Sequence, residues 1–145
     1  MIAQPCTFAS PLRRSRTVLL VEDEPFVREA TCSILERAGF EVLPAQDADD
    51  ALQVFENCTR PIDLVMTDMV LPGRTGLQLG QDLRQHSREI KVLVTSGYSN
   101  AEYAIEDPTT NTYFLAKPYS RRALVEKIEA ILKPLSLHST AGQAS

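Results

Sequence analysis

Short runs of apolar and β-branched residues recur at regular intervals along the chain and predict five β-strands. These runs are Thr17–Val21, Glu41–Ala45, Ile62–Thr67, Lys91–Thr95 and Thr112–Ala116. Between them, apolar residues follow the i, i+3, i+4, i+7 spacing of an amphipathic helix, most clearly after Pro25 and after Ser120. This alternation of strands and helices predicts an α/β fold, in which a parallel sheet has helices on both faces.

Residues that open and close helices support this pattern. Pro25 can begin the first helix, where its missing N–H is harmless, and Gly39 can end that helix in the left-handed conformation. Asp47 and Ser120 are typical N-cap residues for two further helices. The predicted helices after the first are Ala48–Asn57, about Gly76–His86, and Arg121–Leu132.

The connection between the fourth and fifth strands, Tyr98–Asn111, has the weakest helical pattern. Its apolar residues, Ala101, Ala104 and Ile105, give barely two helical turns before Asp107 and Pro108 interrupt the series. We therefore expect about five helices, with the fourth short or irregular. Five βα units then fill residues 17–132, which leaves an N-terminal tail of residues 1–16 and a C-terminal tail of residues 133–145.

Length and composition are those of one soluble globular domain. The chain has 145 residues, of which 43% are hydrophobic and 23% are charged, so extended disorder and fibrous folds are not expected. No apolar stretch is long enough to span a bilayer, and the first 16 residues lack the apolar core of a secretory signal. We expect a cytoplasmic protein whose three cysteines, Cys6, Cys32 and Cys58, are free thiols.

Charge is distributed unevenly along the chain. The two tails contain four of the 15 basic residues and no acidic residue, so residues 17–132 have 11 basic and 19 acidic side chains, a net charge of −8. Proteins that grip a nucleic-acid backbone depend on clustered Lys and Arg. We therefore expect no direct DNA binding by this part of the chain.

Polar side chains stand where several of the predicted strands end. Glu22 and Asp23 follow the first strand, and Asp68 follows the third. Thr95 and Lys117 occupy the corresponding places on the fourth and fifth strands. Ligand sites of open parallel sheets lie outside the carboxyl ends of the strands, so these five side chains are candidates for a single site.

The composition of this candidate site indicates phosphoryl chemistry. Clustered carboxylates repel one another unless a cation or a proton lies between them, and an all-oxygen site with two or three acids suits Mg²⁺. A nearby lysine offers a positive charge to a phosphoryl oxygen. Phosphoryl transfer depends mainly on positioning and charge neutralisation, and these residue types supply both.

Four motifs carry a family resemblance. The sequences VEDE, TDMVLPGRTG, VTSGY and AKPY, in this order, resemble the motifs of the receiver domain of two-component response regulators. The resemblance covers about residues 17–132 and implies a flavodoxin-like, doubly wound five-stranded parallel sheet with strand order 2-1-3-4-5. It also implies a self-catalysed transfer of phosphate to one aspartate from a histidine kinase or a phosphotransfer protein.

The resemblance assigns roles to the acidic residues. Asp68 matches the phospho-acceptor, and Asp23 matches the principal Mg²⁺ ligand. Glu22 matches a second acid that acts directly or through water, and the backbone carbonyl of Val70 matches a further ligand. The implied metal site therefore consists of Glu22, Asp23, Asp68 and Val70.

Other positions receive roles in the same way. Thr95 is expected to hydrogen-bond the phosphoryl group, and Lys117 to pair with it. Phe114 occupies the aromatic switch position of the family, although a core role is equally consistent with its pattern. We also expect Phe26 and Tyr119 to be exposed anchors for a protein partner, since aromatic anchors often dominate binding energy.

The function that we expect is that of a single-domain response regulator that signals through protein contacts with an unknown downstream protein. An alternative is a receiver that belongs to a hybrid histidine kinase or to a longer regulator, because TSGY resembles many such receivers. A less favoured alternative is an aspartate-nucleophile phosphate hydrolase, which would need an acid where Val70 stands. A degenerate docking module is disfavoured, because the acceptor, metal and lysine positions are all retained.

Overall fold

The computed structural model describes residues 15–97 and 106–133. Its seven strands are β1 (Thr17–Val21), β2 (Glu41–Ala45), β3 (Leu64–Asp68), β4 (Val70–Leu71), β5 (Arg74–Thr75), β6 (Lys91–Ser96) and β7 (Thr112–Ala116). Its α-helices are α1 (Pro25–Arg37), α2 (Ala48–Asn57), α3 (Gly76–His86) and α4 (Arg121–Ile131). The larger sheet is entirely parallel, with strand order β2-β1-β3-β6-β7. The strands β4 and β5 form a separate antiparallel pair, so β6 and β7 are the fourth and fifth strands of the large sheet. Its order is therefore the predicted 2-1-3-4-5.

Two apolar layers cover the sheet, one on each face. Leu19 and Val65 point into the layer that α2 and α3 complete with Ala51, Leu79 and Leu83. The alternate strand residues point into the layer that α1 and α4 complete; this layer includes Val18, Leu20, Leu64, Leu35, Leu124 and Ile128. All five residues of β1 are buried, as expected for a central strand with helices on both sides. The predicted fold class is confirmed.

The predicted helix boundaries are largely confirmed. Pro25 is the first residue of α1, and Gly39 adopts a φ of 100° just after the helix. The Asp47 carboxylate accepts a hydrogen bond from the Asp50 N–H at 2.8 Å, which caps α2. The Ser120 hydroxyl accepts from the Ala123 N–H at 2.9 Å, which caps α4. The last helix ends at Ile131, one residue before the predicted end.

The largest error in the predicted strands is the start of β3. The strand begins at Leu64, two residues later than expected, and ends at Asp68. The Thr17 N–H donates to the Asp63 carboxylate at 2.7 Å, and the Asp63 N–H donates to the Thr17 carbonyl at 2.9 Å. Asp63 is therefore joined to β1 partly through its side chain, and the regular backbone pairing of β3 with β1 begins only at Leu64. The short β4–β5 pair was not predicted.

The connection after β6 lies partly outside the described residues. The predicted irregular helix falls mostly on residues 98–105, of which the structure describes none. Within the described part, Pro108–Thr110 form a 3₁₀ turn, and Asn111 adopts a φ of 55° before β7 begins. The predicted tails, residues 1–16 and 133–145, also lie almost entirely outside it.

Two simpler expectations concern thiols and membrane spans. Cys32 and Cys58 are free thiols, whereas Cys6 lies outside the described residues. In residues 15–97 and 106–133, no helix has the length and apolar character that crossing a membrane requires.

Candidate functional site

The carboxyl ends of β1 and β3 bring three carboxylates together. Glu22 and Asp23 follow β1 directly, and Asp68 is the last residue of β3, the neighbouring strand. Carboxylate oxygens of the three residues all lie within 4.8 Å of one another. The parallel register of the two strands is what makes acids 45 residues apart in sequence neighbours in space.

A cation and a hydroxyl residue adjoin this acidic cluster of Glu22, Asp23 and Asp68. Lys117, which follows β7, places its Nζ 3.1 Å from Oδ2 of Asp68. Thr95 is paired with Asp68 in the β3–β6 register and is buried. The Met69 N–H also donates to the Thr95 carbonyl at 2.8 Å. The structure therefore brings the side chains of Glu22, Asp23, Asp68 and Lys117 together and places Thr95 beside Asp68 on the neighbouring strand.

Glu22 is the buried member of the cluster, with 6% of its surface exposed. Burial raises the pKa of Glu22, and the nearby Asp68 and Asp23 raise it further; the Glu24 N–H and Lys117 oppose this shift. The Glu24 N–H donates to Oε2 of Glu22 at 3.2 Å. A second positive charge near these acids would relieve the repulsion that raises the pKa of Glu22.

The donor chemistry of the cluster fits a small, hard cation. Glu22 is buried, Asp68 is half-buried and Asp23 is exposed, so the cluster opens to solvent on the side of Asp23. Two or three carboxylates with room for water are typical of Mg²⁺ sites, because Mg²⁺ keeps part of its hydration shell. Glu22, Asp23 and Asp68 could therefore hold Mg²⁺, together with the carbonyl of Val70 that the motif implies.

Two residues that sequence reasoning missed support the loops of the site. Arg28 in α1 donates from Nη1 to the carbonyl of Glu22 at 2.7 Å, which holds the loop after β1. Arg74 in β5 pairs with Asp82 in α3 and approaches Asp49 in α2. No sequence signal identifies either contact, since each depends on how separate elements pack.

Three aromatic residues can be compared with their predicted roles. Phe114 is buried, with 7% exposure, and belongs to the core layer of α2 and α3. Phe26 is 85% exposed, as expected of an anchor. Tyr119 is half-buried and packs against the layer of α1 and α4. The prediction that Tyr119 is exposed is wrong, because its side chain packs against this core layer.

Known proteins resemble this chain over the part that contains the candidate site. Residues 18–129 match the family described as the response regulator receiver domain. The sensor kinase CckA of Brucella abortus is 34% identical over 126 residues, which are 86% of this chain and 13% of that protein. The phosphate regulon transcriptional regulatory protein PhoB of Escherichia coli is 34% identical over 125 residues, 84% of this chain and 54% of PhoB.

A solved structure shares the fold as well. The response regulator TrrA of Thermotoga maritima, in complex with Mg²⁺-BeF, superposes with a TM-score of 0.69 and is 26% identical. That match covers 81% of this chain and 99% of TrrA. By contrast, the chain spans only about half of PhoB and a small part of CckA. The family match extends from β1 into α4 and includes every residue of the candidate site, and the chain therefore belongs to the response regulator receiver domain family.

Proposed function

We propose that Asp68 of this receiver domain accepts a phosphoryl group from a histidine kinase or a phosphotransfer protein, with Mg²⁺ bound beside it. The observation that supports this most directly is the acidic cluster, whose carboxylates lie within 4.8 Å of one another while Lys117 contacts Asp68 at 3.1 Å. Phosphorylation would then change the protein contacts of the domain. The family membership does not favour the phosphate hydrolase alternative.

The transfer step needs only groups that this site and the donor supply. A carboxylate oxygen of Asp68 forms a bond to phosphorus while the bond between phosphorus and the donor atom breaks, and the donor leaves with the electron pair. Lys117 can pair with the phosphoryl oxygens, since it already adjoins Asp68. Thr95, beside Asp68 in the register, can donate a hydrogen bond from its hydroxyl to the same group. The domain would thus catalyse its own phosphorylation.

Four groups of this chain would hold the metal: the carboxylates of Glu22, Asp23 and Asp68, and the carbonyl of Val70. The chemistry that Mg²⁺ supplies when bound is neutralisation of the charge on the phosphoryl oxygens. The solved structure of TrrA in complex with Mg²⁺-BeF supports this assignment by analogy. Glu22 and Asp23 would hold the metal beside the acceptor, so that Asp68 can react without repulsion from its acidic neighbours.

The organisation of the whole protein is part of the proposal. We infer a cytoplasmic receiver domain at residues 17–132 with tails of residues 1–16 and 133–145. A receiver within a hybrid kinase or a longer regulator is the second candidate, and the partial coverage of CckA and PhoB favours it. The expectation that the chain does not bind DNA directly is not confirmed, since one relative is named a transcriptional regulatory protein.

The proposal is tested with acetyl phosphate as donor and intact mass spectrometry as readout. With Mg²⁺ present, the chain should gain one phosphate, and Asp68→Asn should abolish this gain. Asp23→Ala, or excess chelator added to the unchanged chain, should also abolish it. Asp107→Asn serves as a matched control, because Asp107 is an exposed aspartate beside the opposite end of β7.

Each outcome decides between the alternatives. Acid-stable phosphate on Asp68→Asn would contradict the assignment of the acceptor. Normal labelling in excess chelator would contradict the role of Mg²⁺. If the unchanged chain takes up no phosphate from acetyl phosphate or from any kinase, it is a docking module rather than a phosphorylated switch.

A further inference from the structure

The hairpin that follows the acceptor is too small to hold its own position. It consists of β4 and β5, with two residues in each strand, joined by Pro72 and Gly73. Isolated two-stranded hairpins are marginal in water even when they are longer. The position of this hairpin, and of the backbone at Val70, therefore depends on contacts with the rest of the molecule.

Three contacts anchor one side of the hairpin. The Met69 N–H donates to the Thr95 carbonyl at 2.8 Å, and the Gly76 N–H donates to the Met69 carbonyl at 2.7 Å. Leu71 is buried in the layer of α2 and α3. Val70 contributes no comparable anchor, because its side chain is 65% exposed.

Arg74 anchors the other side of the hairpin. It is the strand partner of Leu71, and its Nη1 pairs with Oδ2 of Asp82 in α3. Its Nη2 lies 3.7 Å from Oδ1 of Asp49, in the first turn of α2. A single guanidinium thus joins the hairpin to both helices that pack on this face of the sheet.

We propose that Arg74 is a positioning residue for the metal and acceptor site, which it serves by holding the hairpin that contains Val70. This inference rests on the proposed function, in which the carbonyl of Val70 is a metal ligand. Arg74 is 33% exposed, and its partners Asp82 and Asp49 are 38% and 85% exposed. Ion pairs this exposed contribute little to global stability, so the main effect of Arg74 should be on the position of the loop.

Whether a substitution of Arg74 strengthens or weakens Mg²⁺ binding distinguishes two roles for this residue: positioning the hairpin, or only placing a positive charge near the site. Removal of a positive charge near a cation site strengthens cation binding if charge alone acts. Loss of a contact that orients a ligand weakens binding instead. Arg74→Met removes the charge and keeps most of the apolar stem, so the two explanations predict opposite results.

The experiment measures the Kd for Mg²⁺ by NMR titration of the full chain, without any phosphate donor. We expect Arg74→Met to raise the Kd about threefold to tenfold, which is below or at the bottom of the roughly 10–100-fold range for groups that contact a metal ligand directly, because Arg74 acts through the hairpin. The thermal midpoint should change little. Arg88→Met is the matched control, because Arg88 is exposed and forms no ion pair with any residue in 15–97 or 106–133.

Two further variants keep the inference falsifiable. Arg74→Lys retains the charge but cannot bridge two carboxylates, so it should also weaken Mg²⁺ binding, and it replaces Arg74→Met if that variant does not fold. Asp82→Asn should weaken binding less in the Arg74→Met background than in the unchanged chain, because the contact is already lost.

The outcomes distinguish this inference from the proposed function. Unchanged or tighter Mg²⁺ binding in Arg74→Met and Arg74→Lys overturns the role of Arg74 alone. If the unchanged chain shows no Mg²⁺ binding that Asp23→Ala removes, the proposed metal site fails and the role of Arg74 fails with it.

Discussion

Gly76 shows how a single residue determines the geometry of the site. It is the first residue of α3, and a Cβ at this position would lie 2.4 Å from the backbone carbonyl oxygen of Asp68. Real Cβ atoms essentially never approach that closely, and the obstacle is rigid backbone rather than a flexible side chain. Glycine is therefore required for the close approach of the start of α3 to the acceptor residue.

We predict that Gly76→Ala destabilises the domain by about 1–3 kcal/mol, the usual cost of overpacking. The matched control is Gly80→Ala in the same helix, where the new Cβ would lie 3.4 Å from Cγ1 of Val92. That distance is an ordinary van der Waals contact, and alanine is favoured over glycine inside helices by about 1 kcal/mol, so this control should be neutral or slightly stabilising. Urea unfolding of both variants checks the prediction, and equal losses would contradict it.

At the scale of elements, the side chain of Glu106 accepts a hydrogen bond from the edge strand of the sheet. The strand β7 lies at the edge, and the Phe114 N–H donates to Oε2 of Glu106 at 3.1 Å. Lys127 in α4 pairs with the same carboxylate oxygen. Edge strands with unpaired N–H groups invite association with other chains. Glu106 thus protects part of this edge and also joins it to α4.

The environment of Glu106 determines its titration. Burial acts to raise the pKa of Glu106, but hydrogen bonds from Lys127 and from the Phe114 N–H, with the charge of Lys127, outweigh it and lower the pKa. An acid with a lowered pKa in the folded state stabilises the fold above its ordinary pKa. That contribution disappears as the pH falls through the lowered value.

We predict that Glu106→Gln costs about 0.5–1 kcal/mol of unfolding free energy at pH 7, a value reduced for solvent screening of this partly exposed pair. The difference from the unchanged chain should vanish once acid protonates Glu106. Glu126→Gln is the control, since its pair with Arg122 is 67% exposed on the glutamate side. Urea unfolding across pH 3 to 7 measures both; a pH-independent difference for Glu106→Gln would rule out this explanation.

At the scale of the whole molecule, exposed apolar residues gather near the acidic cluster. Among the described residues, the large hydrophobic side chains that are exposed are Phe26, Val27 and Val70. Phe26 and Val27 lie in the first turn of α1, which follows β1, and Val70 follows β3, the strand beside β1. Exposed apolar patches commonly mark protein interaction sites. In the proposed function, a protein phosphodonor would reach Asp68 across the rim that these three exposed side chains form.

We predict that Phe26→Ala slows transfer from a protein donor about tenfold, equivalent to about 1.4 kcal/mol, as for other aromatic anchors. The donor is the histidine kinase that transfers fastest when the source organism's kinases are profiled. Labelling by acetyl phosphate should not change, because the Phe26 side chain is mostly exposed and is not part of the acidic cluster. Unchanged transfer from the kinase would show that this rim is not the docking surface.

Local patterns in the sequence determined most of the fold. Apolar periodicity predicted the strands and helices, and Pro25, Gly39, Asp47 and Ser120 marked boundaries that the structure confirms. Such signals are readable because a helix cap or a strand face involves residues close together in sequence. The candidate site also followed from the sequence, since the end of each parallel strand has one defined place at the sheet edge.

The tertiary structure decided the contacts between elements that are distant in sequence. Tyr119 is half-buried rather than exposed, Arg74 joins the hairpin to α2 and α3, and Glu106 bonds to β7 and α4. Each of these depends on the exact spacing and rotation of packed helices and strands. Long side chains such as Arg, Lys and Glu can reach many alternative partners, so sequence position alone does not select one. The packing of helices and strands determines the partner, because a side chain can pair only with groups that lie within hydrogen-bonding distance in the folded protein.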